Sequence, residues 1–139
     1  MVSFNDTEKE LFLNKNMKPC ILIVDDSPDI FEILADVLQP EGFEVLWARN
    51  GEEFRQKVIA RKPCLIMLDI GLGNENGPEL YKRLLLQGLD RSIPVIFISG
   101  LIQSQSPPPI EPGRRYAMHP KPFEFDRLLT DIRTMTTPI

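Results

Sequence analysis

Apolar residues along this chain fall into two kinds of run. Three runs are short and unbroken: Cys20-Ile21-Leu22-Ile23-Val24, Cys64-Leu65-Ile66-Met67-Leu68 and Ile93-Pro94-Val95-Ile96-Phe97-Ile98. A segment apolar on both faces predicts a strand of a parallel sheet covered by helices on both sides. Pro94 stands near the start of its run, where a missing N–H is tolerated. Weaker strand signals lie at 44–48 and 115–119. The second kind of run recurs at three- and four-residue steps. Ile30, Ile33, Leu34, Val37 and Leu38 follow Ser27-Pro28, an N-cap and a proline at the first helical position, and Pro40 and Gly42 end that helix. Further helices are predicted over 51–60 with Phe54 and Val58 inward, over 76–87 with Leu80, Leu84 and Leu85 inward, and over 123–135 with Leu128, Leu129 and Ile132 inward. Strand and helix alternate, so the expected fold is α/β, a doubly wound parallel sheet with right-handed crossovers.

Two stretches break the rhythm. Residues 1–17 are polar with a small Leu11-Phe12-Leu13 cluster and read as an N-terminal extension, frayed or partly helical behind Asp6. A domain over 18–139 follows. Between Ser99 and the last strand a helix is expected, but Pro107, Pro108, Pro109 and Pro112 oppose it. That crossover is predicted to be short or irregular.

Composition narrows the class without naming a function. The chain has 139 residues, 42% hydrophobic and 26% charged, with a net charge of −4. This is one ordinary domain, large enough to bury about 68% of its unfolded surface. The charge gives no reason to expect nucleic acid or an anionic membrane as a partner. No apolar run reaches the ~20 residues of a membrane span, and the first residues lack the marks of a signal peptide. A cytoplasmic location is expected. Cys20 and Cys64 each precede an acid by five residues. On neighbouring parallel strands they would lie close together at the end of the sheet away from those acids, as free thiols.

In an open parallel sheet ligands bind beyond the carboxyl ends of the strands. Asp25 and Asp26, Asp69, Ser99 and Lys121 all follow predicted strands. Three carboxylates gathered there repel one another and call for a lysine or a divalent cation. Mg²⁺ suits the oxygen ligands and keeps sites for water and phosphate oxygens. Asp69 then has the chemistry of a nucleophile toward phosphorus, with Lys121 and the Ser99 hydroxyl placed to meet the transferring oxygens.

These residues resemble the receiver domain of two-component response regulators, the chemotaxis-type (CheY-like) fold, from 18 to 135. The resemblance is carried by Ile21-Leu22-Ile23-Val24-Asp25-Asp26, Leu68-Asp69-Ile70, Gly77, Ser99-Gly100 and Lys121-Pro122-Phe123, with Asp69 placed 44 residues after Asp25 and Lys121 placed 22 after Ser99. It implies a five-stranded sheet in the order 2-1-3-4-5 and a cis peptide before Pro122. It implies phosphorylation of Asp69 by a histidine kinase or phosphotransfer protein. Metal ligands would be Asp25, Asp26, Asp69 and the backbone carbonyl of Gly71, with Ser99 and Lys121 on the phosphoryl group. Such a domain is not a turnover enzyme. It would signal by contact with a downstream protein, as a monomer or weak homodimer.

Three positions depart from the family pattern: Met118 occupies the place of the usual aromatic switch, the proline-rich segment replaces the fourth helix, and Gly71-Leu72-Gly73 follows Asp69 where proline is common. The first two alter the output face. They leave open a receiver-fold binding module that no longer switches. A phosphohydrolase of the haloacid dehalogenase type lacks its second aspartate, because Ser27 and Gly71 occupy the required positions. A flavin site would find Asp25-Asp26 repelling its phosphate. His119, Met118 and Tyr116 are expected to be packing residues, and Asp29 and Asp36 surface acids.

Overall fold

The computed structural model describes residues 18–100 and 115–137. The expected partial helix in the extension, the irregular crossover and the triple proline lie outside the described residues. The elements run β1 Cys20–Val24, α1 Pro28–Leu38, a 3-10 turn Gln39–Glu41, β2 Glu44–Ala48, α2 Gly51–Ala60, β3 Leu65–Asp69, β4 Gly71–Leu72, β5 Glu75–Asn76, α3 Gly77–Leu86, β6 Val95–Ser99, β7 Tyr116–Pro120 and α4 Phe125–Thr136. The main sheet has five strands in the order β2-β1-β3-β6-β7. All its pairings are parallel. This is the expected order 2-1-3-4-5 once the small β4–β5 hairpin is set aside.

The unbroken apolar runs are explained by what covers each face. Leu22, Val24, Ile66, Leu68 and Phe97 pack with Phe54 of α2 and with Leu80, Tyr81 and Leu84 of α3. Ile21, Ile23, Leu65, Met67, Ile96 and Ile98 pack with Leu34 and Leu38 of α1 and with Leu128 and Ile132 of α4. Successive strand side chains point to opposite faces, so a strand in the middle must be apolar throughout. Helix α1 departs in one detail: Ile33, read as part of its apolar stripe, is exposed, and Ala35 takes the inward place.

Local signals set the helix boundaries. The Ser27 hydroxyl accepts from the Ile30 N–H, and the Asn50 and Asn76 side chains accept from the N–H groups of Glu53 and Glu79. Each satisfies a donor that the first helical turn leaves free. Gly42 and Gly88 follow helices with φ of 97° and 106°, backbone that glycine adopts without strain.

The β4–β5 hairpin was not anticipated. It turns at Gly73, with φ of 57°, and brings the chain from Asp69 back along itself into α3. Its Glu75 carboxylate accepts from the Gly51 N–H at 2.9 Å, tying the hairpin to the start of α2. Gly77 seats the other end. A Cβ there would lie 2.2 Å from the Asp69 carbonyl oxygen, so only hydrogen fits. Gly77→Ala is therefore expected to destabilise the protein by about 1–3 kcal/mol through overpacking. Thermal unfolding checks this; an unchanged Tm would show that the backbone shifts freely there.

Candidate functional site

The parallel register brings the carboxyl ends of β1 and β3 side by side, since Val24 pairs with Leu68. Asp25 and Asp69 therefore emerge as neighbours. With Asp26 they offer oxygens lying within 4.8 Å of one another. Asp25 and Asp69 are buried and Asp26 is exposed. Asp26 lies beside the hairpin turn, its Oδ2 3.5 Å from where a Cβ on Gly73 would sit.

Each buried carboxylate is held at one oxygen by a backbone N–H and turns the other toward Lys121. Asp25 Oδ1 accepts from the Ser27 N–H at 2.9 Å, and Asp69 Oδ1 from the Gly71 N–H at 3.1 Å. Lys121 Nζ stands 2.9 Å from Asp25 Oδ2 and 3.4 Å from Asp69 Oδ2. Its approach to Asp25 is close in charge but poorly aligned, and Asp25 Oδ2 is a buried oxygen without a directed hydrogen bond. Its neighbour is the Lys121 ammonium, a charge partner at 2.9 Å. The donor set is entirely oxygen and anionic, which fits a hard divalent ion such as Mg²⁺.

Lys121 arrives from the far side of the sheet's end. Its N–H donates to the Ser99 carbonyl at 2.8 Å, and the Lys121–Pro122 peptide is cis, as expected. Ser99 ends β6 and is half-buried, one residue beyond the partner of Asp69. Gly71 follows Asp69 by two residues at the start of the hairpin. The structure thus brings together Asp25, Asp26, Asp69 and Lys121, with Ser99 and the Gly71 backbone on the strand ends beside them.

Electrostatics follow from this crowding. Burial, then the neighbouring Asp25 charge, push the Asp69 carboxyl above its usual range, against the opposing pull of Lys121 and the Gly71 N–H. Burial alone would lower the Lys121 ammonium, but Asp25 and Asp69 outweigh it and hold the group above its usual value.

Other predicted residues fall into structural roles. Met118 pairs with Phe97 and packs against the core. Tyr116 is largely exposed with its ring edge toward Phe97, their centroids 6.4 Å apart. Buried His119 meets Asp131 of α4, Nε2 to Oδ2, at 2.6 Å. Asp29 and Asp36 are exposed. Cys20 and Cys64 are free thiols. They line one hollow at the opposite end of the sheet, and the Cys64 N–H donates to the Cys20 carbonyl at 2.8 Å.

Sequence reasoning missed Trp47. This edge-strand indole donates to the Asp25 carbonyl at 2.8 Å and stacks on Phe31 with centroids 4.9 Å apart. A half-buried tryptophan normally finds an acceptor for its N–H. That rule signals a bond, but only the register, with Ile23 opposite Trp47, says which carbonyl is near.

Comparison with known proteins decides the family. The model of the response regulator receiver domain matches residues 21–133. This chain belongs to that family. Receiver domains are signalling modules of two-component systems, and response regulators interact with histidine kinases or phosphotransfer proteins. Among similar proteins is the nitrogen assimilation regulatory protein NtrX of Azorhizobium caulinodans, 34% identical over 109 residues, covering 78% of this chain and 24% of NtrX. The polar-differentiation response regulator DivK of Brucella anthropi is 28% identical over 118 residues, 85% of this chain and 96% of DivK. A putative response regulator from Chloroflexus aurantiacus, solved as a crystal structure, has a TM-score of 0.75 at 27% identity, with 86% of this receiver and 98% of that chain covered. The receiver spans only 24%, 34% and 49% of the lengths of three regulatory proteins it matches, NtrX, PhoB and YbdJ. No helix among the described residues is long and apolar enough to cross a membrane.

The raised Asp69 carboxyl gives a pH prediction. The folded state holds this proton to higher pH than the unfolded chain, whose carboxyl titrates near 3.8. The associated stability is complete below that value and is lost as pH rises through the raised one. In chelator, Asp69→Asn should therefore be more stable than the parent near neutral pH, by about 1 kcal/mol. The two curves should converge on acidification, as read by urea unfolding at several pH values. Equal stability at every pH would mean that Asp25 and Asp69 do not repel.

Proposed function

We propose that this receiver accepts a phosphoryl group on Asp69 from a phosphohistidine of a histidine kinase or phosphotransfer protein, with Mg²⁺, and signals by contact with a downstream protein. The supporting observation is the buried pair Asp25 and Asp69 flanked by exposed Asp26, with a single ammonium reaching both buried groups. Asp25, Asp26, Asp69 and the Gly71 carbonyl would hold the ion. When bound, Mg²⁺ supplies positive charge to the transferring phosphoryl oxygens.

The remaining roles belong to the chain. Asp69 Oδ2, the oxygen not held by the Gly71 N–H, forms the new O–P bond while the P–N bond to the donor imidazole breaks. Gly71 keeps the carboxylate from rotating. Lys121 shifts from the two carboxylates toward the phosphoryl oxygens, and the Ser99 hydroxyl donates to another. Phosphorylation adds nearly two negative charges and draws both residues inward, biasing the surface above β6 and β7.

One observation favours a non-switching binding module instead. Met118, at the position of the family's aromatic switch, is packed against the core beside Phe97. Beryllofluoride with Mg²⁺ separates the readings: saturable binding that depends on Asp69 supports the phosphoacceptor, and its absence supports the module. The direct test is intact-protein mass spectrometry after acetyl phosphate treatment. One added phosphoryl group is expected on the parent with Mg²⁺, and none on Asp69→Ala or in chelator. An equal adduct on Asp69→Ala would refute the assignment.

The lifetime of the acyl phosphate follows from Gly71. It is exposed and has no atom within 4 Å of the place a Cβ would take. It presents no side chain to position an attacking water, and Leu101, outside the described residues, has no polar group either. Slow self-hydrolysis is expected. Loss of the phosphoryl group within seconds in the presence of Mg²⁺ would contradict it.

A further inference from the structure

At the end of the molecule opposite the acidic site, α2 and α3 part around a hollow of about 450 Å³. Val58, Ile59, Leu84, Leu89 and Ile93 supply its apolar lining. Ile59 is 72% exposed. Ile59, exposed on the wall of an apolar hollow, offers apolar surface to a segment that covers it.

The chain itself passes close by. The Lys18 carbonyl accepts from Arg61 Nη2 at 2.7 Å, pinning the start of the described chain to the residue that caps α2. Lys18, Arg61 and Lys62 line a second hollow, and Lys62 also lines the apolar one, so the two adjoin. Lys18, the first described residue, therefore lies within one side chain of the α2–α3 hollow. The longest apolar run of residues 1–17 is Leu11-Phe12-Leu13, five residues before Lys18. Five extended residues reach roughly 17 Å, enough to pass Lys62 and enter the hollow. Asp6, Glu8 and Glu10 precede the run, and the hollow's cations, Arg55 and Lys62, lie on its wall. Those cations are engaged with Glu52 and Asp90 at exposed pairs, which exchange partners at little cost.

We propose that residues 1–17 fold back on their own domain, with Leu11, Phe12 and Leu13 seated in the hollow between α2 and α3. The contact is intramolecular, so its effective concentration is set by a short tether and a modest apolar contact suffices. The proposal stands apart from the chemistry at Asp69, because none of its residues belongs to the acidic site.

Amide NMR spectra of the full chain provide the test. Phe12→Asp should shift the resonances of residues 58–62 and 84–89 while leaving those of Asp25, Asp69 and Lys121 in place. Shifts confined to residues next to position 12 would overturn the proposal. Ile59→Asp is the reciprocal variant, on a side chain exposed enough to be replaced without harm to the fold. It should raise the rate of trypsin cleavage after Lys9 and Lys15 several-fold, and an unchanged rate would count against docking. Parent spectra should be the same at high and low protein concentration. Signals from 58–62 that move on dilution would mean that a second copy supplies the segment, and the intramolecular reading would fail.

Discussion

The structure is organised around a repulsion that it does not relieve by itself. Two carboxylates are carried out of water at the tips of adjacent strands, with a third at the rim. At ~4 Å and an effective dielectric near 20, one such pair costs about 4 kcal/mol. One ammonium, at 2.9 and 3.4 Å from the two buried groups, offsets part of it. Nothing else with a positive charge approaches these oxygens among the described ion pairs. Burial first, and then what remains of this repulsion, raise the Asp69 carboxyl. A fold that keeps such a cluster gives up stability at the place proposed to take a cation and a phosphoryl group, a common exchange at functional sites.

The rest of the architecture serves to hold those tips still. Strands β1 and β3 are buried on both faces, so neither can slide by a residue without moving its apolar side chains to the wrong layer. Each carboxylate is then fixed at one oxygen by a backbone N–H two residues on. Trp47 clamps the Asp25 backbone from the edge strand, and the hairpin after Asp69 is fastened through Glu75 to α2 and through the Gly77 N–H to the Ile70 carbonyl. A change in charge at Asp69 therefore has stiff neighbours to act upon. Two fastened paths lead away from it: one through Lys121 and Ser99 to β6 and β7, the other through the hairpin to α2.

Much of this was legible in the sequence. Three unbroken apolar runs, two of them ending in acids, mark the central strands, and the parallel order they imply places Asp25, Asp69 and Lys121 at one end. Ser27-Pro28 gave the start of α1 because its cap is local chemistry. What escaped depends on distance between segments remote in sequence. The β4–β5 hairpin has only two residues per strand, too few to show a period, and its function lies in Glu75 reaching Gly51 across the loop. Trp47 was readable as a strand residue, but its acceptor is set by register. Ile33 fitted the helical stripe by spacing yet is exposed, while Ala35, two residues on, is buried.

The sole tryptophan of the chain, bonded to the Asp25 carbonyl, makes the central claim directly measurable. Titration of the protein with Mg²⁺ at neutral pH, followed by Trp47 fluorescence, should give a saturable single-site change that is lost in Asp25→Asn and strongly weakened in Asp26→Asn. A flat response through tens of millimolar Mg²⁺, confirmed by the absence of heat in calorimetry, would contradict a cation site among these carboxylates.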